Sequence, residues 1–418
     1  MAATLLIFAA TLTLVVLRPR GWHEAWWTVA GALAMLLLGF VSPQQALQAT
    51  LAGKNALLFL LSLLALSLLV GASGFFDWAA LHCARLARGN ALALYRNAFI
   101  LGAVVTAVLS LDTTAVMLTP VVLALVRRLD VPATPYIVLC AFVANVGSLL
   151  LPISNLTNIL FSDTFQLTFA SFVAKLALPQ LIALATTYAL LRFRFRESLP
   201  KNFESAVLPE PASVVPNRRY FVACAIVLGV VLAGYFVAPP FGIEAYFVAF
   251  AGCAVLLVVG VTTGSVRPRA FAGLAWGVFP FVVGLFIAVR GLENLGLVGA
   301  ASAWLRHAPP NTLTALQVSG ATTLAANVIN NLPAALIARS VLSAANAHST
   351  TVLSALIGAD VGPMITPFGS LATMLVLALA RQAGVQVNGR SLLVFGLWAA
   401  PLIVITTTLT LLVSGFAY

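Results

Sequence analysis

Twice along this chain, in the same order, polar and helix-breaking residues stand in the middle of otherwise apolar segments. In the first copy Leu111-Asp112-Thr113-Thr114 interrupts an apolar run, and Asn145-Val146-Gly147 leads through Pro152 to Ser154-Asn155-Leu156-Thr157-Asn158. In the second, Ile329-Asn330-Asn331-Leu332-Pro333 is followed by Asp360-Val361-Gly362, Pro367 and Gly369-Ser370-Leu371-Ala372-Thr373. Laid over each other, Ala144, Val146, Gly147, Pro152 and Leu156 face Ala359, Val361, Gly362, Pro367 and Leu371. Lipid tolerates such interruptions only where protein encloses them, so they mark a binding site before anything else. Two related copies place that site at the interface of a repeat transporter.

The surrounding composition fixes the class. With 61% hydrophobic and 8% charged residues and a mean hydropathy of +1.06, the chain has too few polar residues to cover a soluble surface, and reads as an all-α polytopic membrane protein. Its long unbroken apolar segments, rather than short alternating ones, exclude an outer-membrane barrel. The net charge of +11 sits in short loops beside apolar segments, as the positive-inside rule requires, and does not point to nucleic acid. Cys83, Cys140, Cys224 and Cys253 are scattered and form no metal or disulfide pattern. No phosphate-binding glycine loop with its Lys is present, so no nucleotide cofactor is expected and energy must come from an ion gradient or a separate subunit.

Spans are expected at 3–17, 25–41 and 53–72, with an interfacial amphipathic helix at 75–88. A re-entrant hairpin follows at 95–128, its arms of about fifteen residues being too short for two comfortable crossings. A helix broken near Pro152 covers 135–161, and a plain span at 167–191 completes a first repeat, 1–191. Residues 192–219 form the linker. The second repeat, 220–418, has spans at 220–238, 242–263 and 272–290, an amphipathic segment at 292–306, a hairpin at 312–346, a broken helix at 350–381 and a last span at 391–415. Five crossings per repeat is an odd number, so the second copy must be inverted. Arg85, Arg88, Arg96, Arg127, Arg128 and the linker cations then share the cytoplasmic side, leaving both termini periplasmic.

Asp112 and Asp360 are the acids that fall well inside the two cores. Asp112 is matched with Asn330 at the hairpin tips, and Asp360 with Asn145 on the broken helices. A low-dielectric site favours the neutral carboxyl, so either acid can load and release a proton. For Asp112 the alternative is an N-cap of the second hairpin arm, helped by Thr113 and Thr114. Ser154, Asn155, Thr157 and Asn158, with Asn331, Gly369, Ser370 and Thr373, offer neutral donors and acceptors beside unwound backbone that suit an ion or a polyhydroxyl substrate. No Arg or Lys is expected near them, which weighs against a di- or tricarboxylate.

The stretches LDTTAVMLTPVVLAL (111–125), PISNLTNIL (152–160), NVINNLPAALIA (327–338) and GADVGPMITPFGSLATM (358–374) resemble the bacterial arsenite efflux transporters of the ArsB type, within the ion transporter superfamily. The resemblance implies export of neutral arsenite and antimonite trihydroxides across the inner membrane in exchange for protons, by a secondary transporter rather than an enzyme. Arsenic-bound hydroxyls would meet Asn145, Asn155, Asn330 and Ser370 while Asp112 and Asp360 change protonation. Some relatives work with a separate cytoplasmic ATPase subunit. Sodium-coupled carboxylate carriers of the same superfamily bind substrate at Ser-Asn-Thr tips, from which the tips here depart. A sodium-coupled carrier of another small anion or silicate, and a passive channel, are the alternatives.

Overall fold

The computed structural model describes residues 2–414; Met1 and 415–418, on which the placing of the termini and the end of the last span depend, lie outside the described residues. The chain opens with α1 (Ala2–Leu17), α2 (Glu24–Leu37), α3 (Pro43–Ala52), α4 (Lys54–Gly71) and the amphipathic α5 (Phe75–Leu86). Next come α6 (Ala91–Val108), a one-turn α7 (Leu111–Thr113) running through a π-turn into α8 (Thr119–Arg128), then α9 (Ala133–Val146), α10 (Leu156–Thr164) and α11 (Phe169–Phe195). After the linker follow α12 (Arg218–Val237), α13 (Ala245–Thr262), α14 (Val278–Asn294), α15 (Leu297–His307), α16 (Thr312–Ile329) and α17 (Asn331–Ala344). The chain ends in α18 (Ser349–Asp360), α19 (Leu371–Gln382) and α20 (Gly389–Val413). No strand occurs among the described residues.

Two boundaries differ from expectation for local reasons. The segment expected as a span at 25–41 stops at Leu37, because Ser42 and Gln45 form a reciprocal capping box with Pro43 in the first turn and start α3. The first hairpin arm, α6, has 18 residues, and on length and composition it is one of six helices among the described residues able to cross a membrane. Where its ends go decides its geometry. Ala91 N–H donates to Lys201 O at 3.3 Å, and Arg128 Nε donates to Val207 O at 3.2 Å, so both ends of 91–128 meet one short stretch of the linker. The six residue-to-residue steps from Lys201 to Val207 reach at most about 22 Å, whereas a straight helix over 91–128 would run about 57 Å. The segment therefore doubles back. At 312–344 the same holds: Arg306 Nη1, six residues before Thr312, donates to Ala344 O at 3.1 Å.

Packing pairs elements across the two halves. A helix of each half packs on the first two of the other, α4 on α12 and α13 as α14 packs on α1 and α2. In the centre α10 lies against α17 and α18 just as α19 lies against α8 and α9, while α11 pairs with α20. Small residues permit the tightest crossings. A Cβ on Gly284 of α14 would fall 2.7 Å from the Thr28 carbonyl carbon of α2, and one on Gly358 of α18 would fall 3.0 Å from Thr322 Cβ of α16.

Candidate functional site

Four helices that follow a break each begin at a polar cap in the middle of the bundle. Ser110 accepts from Thr113 N–H at 3.1 Å, Asn155 from Thr157 N–H at 3.3 Å, Asn330 from Leu332 N–H at 3.4 Å and Ser370 from Thr373 N–H at 3.1 Å. Each N-terminus presents its positive dipole end to the place where the halves interleave, which suits carboxylates and oxygen-rich ligands. Asn330 holds φ 76° and ψ 154°, a strained conformation for a residue with a side chain, at the tip of the second hairpin.

A chain of hydrogen bonds crosses between the halves twice. Asp360, the last residue of α18, is buried, and its Oδ1 accepts from Asn155 Nδ2 at 3.0 Å and Thr157 Oγ1 at 2.5 Å. Asn155 Nδ2 also reaches Ser148 Oγ at 3.4 Å, and Ser148 Oγ donates to Asn145 O at 2.7 Å. Asn145 Nδ2 then donates to Thr373 Oγ1 at 2.9 Å, which accepts from Ser370 Oγ at 3.0 Å. Asp360 Oδ2 and Asn145 Oδ1 are buried with no hydrogen-bond partner among the described residues. These are the two side chains that the sequence comparison of the polar stretches pairs, and each leaves one acceptor free. A buried acceptor without a partner costs about 1–3 kcal/mol, so a proton or a hydroxylated ligand that meets it is favoured.

The amino-acid sequence matches the family model for arsenical pump membrane protein, ArsB, over residues 3–417. The chain belongs to the ArsB family. It is 32% identical to the arsenical pump membrane protein of Escherichia coli (strain K12) over 392 residues, 91% of either chain. It is 25% identical to the putative arsenical pump membrane protein of Bacillus subtilis (strain 168), over 90% of this chain and 91% of that one. Among solved structures it resembles the Alcanivorax borkumensis YdaH transporter, with a TM-score of 0.59, 16% identity and coverage of 88% of this chain and 86% of that one, a likeness of fold. ArsB proteins are multi-pass membrane transporters, not enzymes.

Within this ArsB fold the expected site residues separate by what already holds them. Asp112 is half-buried and has no hydrogen bond or ion pair among the described residues; the cap of its arm is Ser110, not Asp112. Since Ser110 and Asn330 are the corresponding caps, Asp112 corresponds to Leu332 rather than to Asn330, which corrects the match made from the sequence. Thr113 Oγ1 is occupied, 2.6 Å from Ser67 of α4 and 3.0 Å from Ser110. Ser154 Oγ donates to Ala107 O at 2.6 Å, and Asn158 Nδ2 spans Ser148 O and Leu151 O at 2.7 and 2.9 Å, so both fasten the unwound loop after α9. Asn330 Nδ2 donates to Phe368 O at 3.1 Å and Asn331 N–H to Gly369 O at 2.8 Å, tying the second tip to the loop before α19. Gly369 is there for space: a Cβ would fall 2.6 Å from Pro363 O.

Three contributors were given no role by sequence reasoning: Ser110, Ser148 and Asn327. Ser110 stands two residues before an acid, at the edge of the interruption, a usual setting for a cap with an acidic first turn, and so carried a signal. Asn327 holds the loop 361–370 by donating to Thr323 O and Gly362 O, both at 2.9 Å, and accepting from Ile365 and Thr366 N–H at 3.0 and 2.9 Å.

Proposed function

We propose that this chain exports arsenite and antimonite, as neutral trihydroxides, across the bacterial inner membrane in exchange for protons. The observation that carries the reading is Asp360: a buried carboxyl of one half, held by the amide and hydroxyl of Asn155 and Thr157 from the other half, with no ion pair among the described residues. Its lining offers donors and acceptors in a neutral setting, which fits a ligand whose O–H groups both give and accept. A carboxylate substrate would call for a cation at the same depth. Asp112 and Asp360 act as the proton carriers; Asn145, Asn155, Asn331, Ser370 and Thr373 receive substrate hydroxyls.

Transport proceeds by alternating access between two inverted repeats. The interleaved packing of α4 and α14, and of α10 and α19, supports that symmetry, and the doubling back at 91–128 and 312–344 supports re-entrant hairpins. The linker is cytoplasmic and both termini are periplasmic.

Expression in arsenite-sensitive cells tests the substrate. Cell-associated arsenite is expected to fall, with antimonite competing and tricarboxylates not; unchanged arsenite at normal expression refutes the reading. Recognition here uses oxygen and nitrogen rather than sulfur, because Cys140, Cys224 and Cys253 are buried and free, on α9, α12 and α13, and Cys83 lies on α5. Replacing all four with Ser or Ala is expected to leave the transport rate within about two-fold of wild type, a packing-sized effect. Loss of transport in Cys140→Ala alone, in a folded protein, would contradict thiol-free recognition.

A further inference from the structure

Where α10, α14 and α17 end together, a cavity of about 740 Å³ is lined by Asp163 of α10, Arg290 and Glu293 of α14, and Arg339, Ser340 and Ser343 of α17. No role in binding or coupling falls to these residues. Glu293 has one donor on each oxygen and room for a second: Oε2 accepts from Arg290 at 2.9 Å and Oε1 accepts from Ser340 Oγ. Ser340 thus fastens the second hairpin to α14. Its neighbour Arg339 is half-buried and makes no hydrogen bond or ion pair among the described residues, while the carboxylates of Glu293 and Asp163 act on it from two different elements. The guanidinium has five N–H donors in a fixed fork, which favours binding a carboxylate through two parallel bonds.

The two carboxylates belong to different parts of the fold. Glu293 rides on α14, packed against α1 and α2; Asp163 ends α10, which packs against α17 and α18. We propose that Arg339 is a positioning residue of the transport cycle, exchanging between Glu293 and Asp163 as the second hairpin moves and so setting which facing state that hairpin favours. The proposal rests on the alternating-access reading above. A half-exposed pair is weak, which suits a switch: about 1 kcal/mol in either direction changes the balance of two states by about five-fold.

The test places one cysteine at Ser343 in an otherwise cysteine-free protein and follows its labelling by a membrane-impermeant maleimide in intact cells. Arg339→Gln is expected to change the labelling rate by about five-fold and to lower the maximal transport rate with little change in KM, and Arg339→Lys to keep most of the wild-type behaviour. Asp163→Asn and Glu293→Gln are expected to shift labelling in opposite directions, which loosening of the fold would not do. Equal labelling in Arg339→Gln and wild type, or shifts of the same sign in the two carboxylate variants, overturns the proposal. Labelling needs no substrate, so failure of arsenite transport and failure of the switch are read separately.

Discussion

Asp360→Asn is expected to abolish uphill, proton-driven arsenite efflux while downhill arsenite movement remains measurable. The substituted amide keeps size and can still accept from Asn155 and Thr157 through its oxygen, so the interface between the halves survives. What it loses is titration. A neutral substrate carries no charge, so a carrier that couples its exit to proton entry needs a group whose proton occupancy differs between the two facing states. Without it accumulation should relax to equality across the membrane. Asp112→Asn is expected to act in the same direction, since Asp112 has no hydrogen-bond partner among the described residues to lose. Asn145→Asp restores an acid at the position matched to Asp360 and is expected to recover part of the coupling of Asp360→Asn. Asn330→Asp is not expected to rescue Asp112→Asn, because Asn330 corresponds to the cap Ser110. Uphill transport that survives in both Asp→Asn proteins would make these carboxyls structural.

Asn327→Ala carries the largest expected stability loss. It leaves the N–H groups of Ile365 and Thr366 without their acceptor, while the carbonyl of Gly362 keeps the Met364 N–H at 2.8 Å. At about 1–3 kcal/mol for each such group, reduced by relaxation, the cost is on the order of 3 kcal/mol or more. The loop it holds carries Gly369 and leads into Ser370, so transport should be lost with stability. Thermal unfolding in detergent checks this against Asn388→Ala, which removes an exposed cap of α20 and should cost about 1 kcal/mol. An Asn327→Ala Tm no lower than that of Asn388→Ala would show that the loop holds itself.

The breaks in the apolar segments were legible because lipid forbids unpaired backbone, so Asp112, Pro152, Asn330 and Pro367 announce themselves on composition alone. The amphipathic α5 was legible from its one apolar face. Partner choice was not legible. The Asn145–Thr373 and Asp360–Thr157 bonds join residues about two hundred positions apart, and only the interleaving of the halves brings them together. Nor was the register of the first hairpin. Asp112 is the conspicuous polar residue of its tip, but the chain turns two residues earlier at Ser110 and passes through a π-turn at Thr114–Leu118. Pro120, which lacks an N–H, sits just beyond that turn and disturbs the regular ladder there. Asn158 shares a polar cluster with Asn155, but one helical turn of α10 lets Asn155 cap at the interface while Asn158 Nδ2 clamps the loop behind it, with Asn158 Oδ1 buried and without a hydrogen-bond partner among the described residues.

The most direct measurement of the central claim is arsenite uptake into everted membrane vesicles with and without an imposed pH gradient, interior acid, for wild type and Asp360→Asn side by side. Accumulation above the external concentration is expected in wild type only while the gradient stands, with collapse when a protonophore is added and no accumulation in Asp360→Asn. Accumulation that ignores the pH gradient, or follows a sodium gradient instead, would contradict that claim.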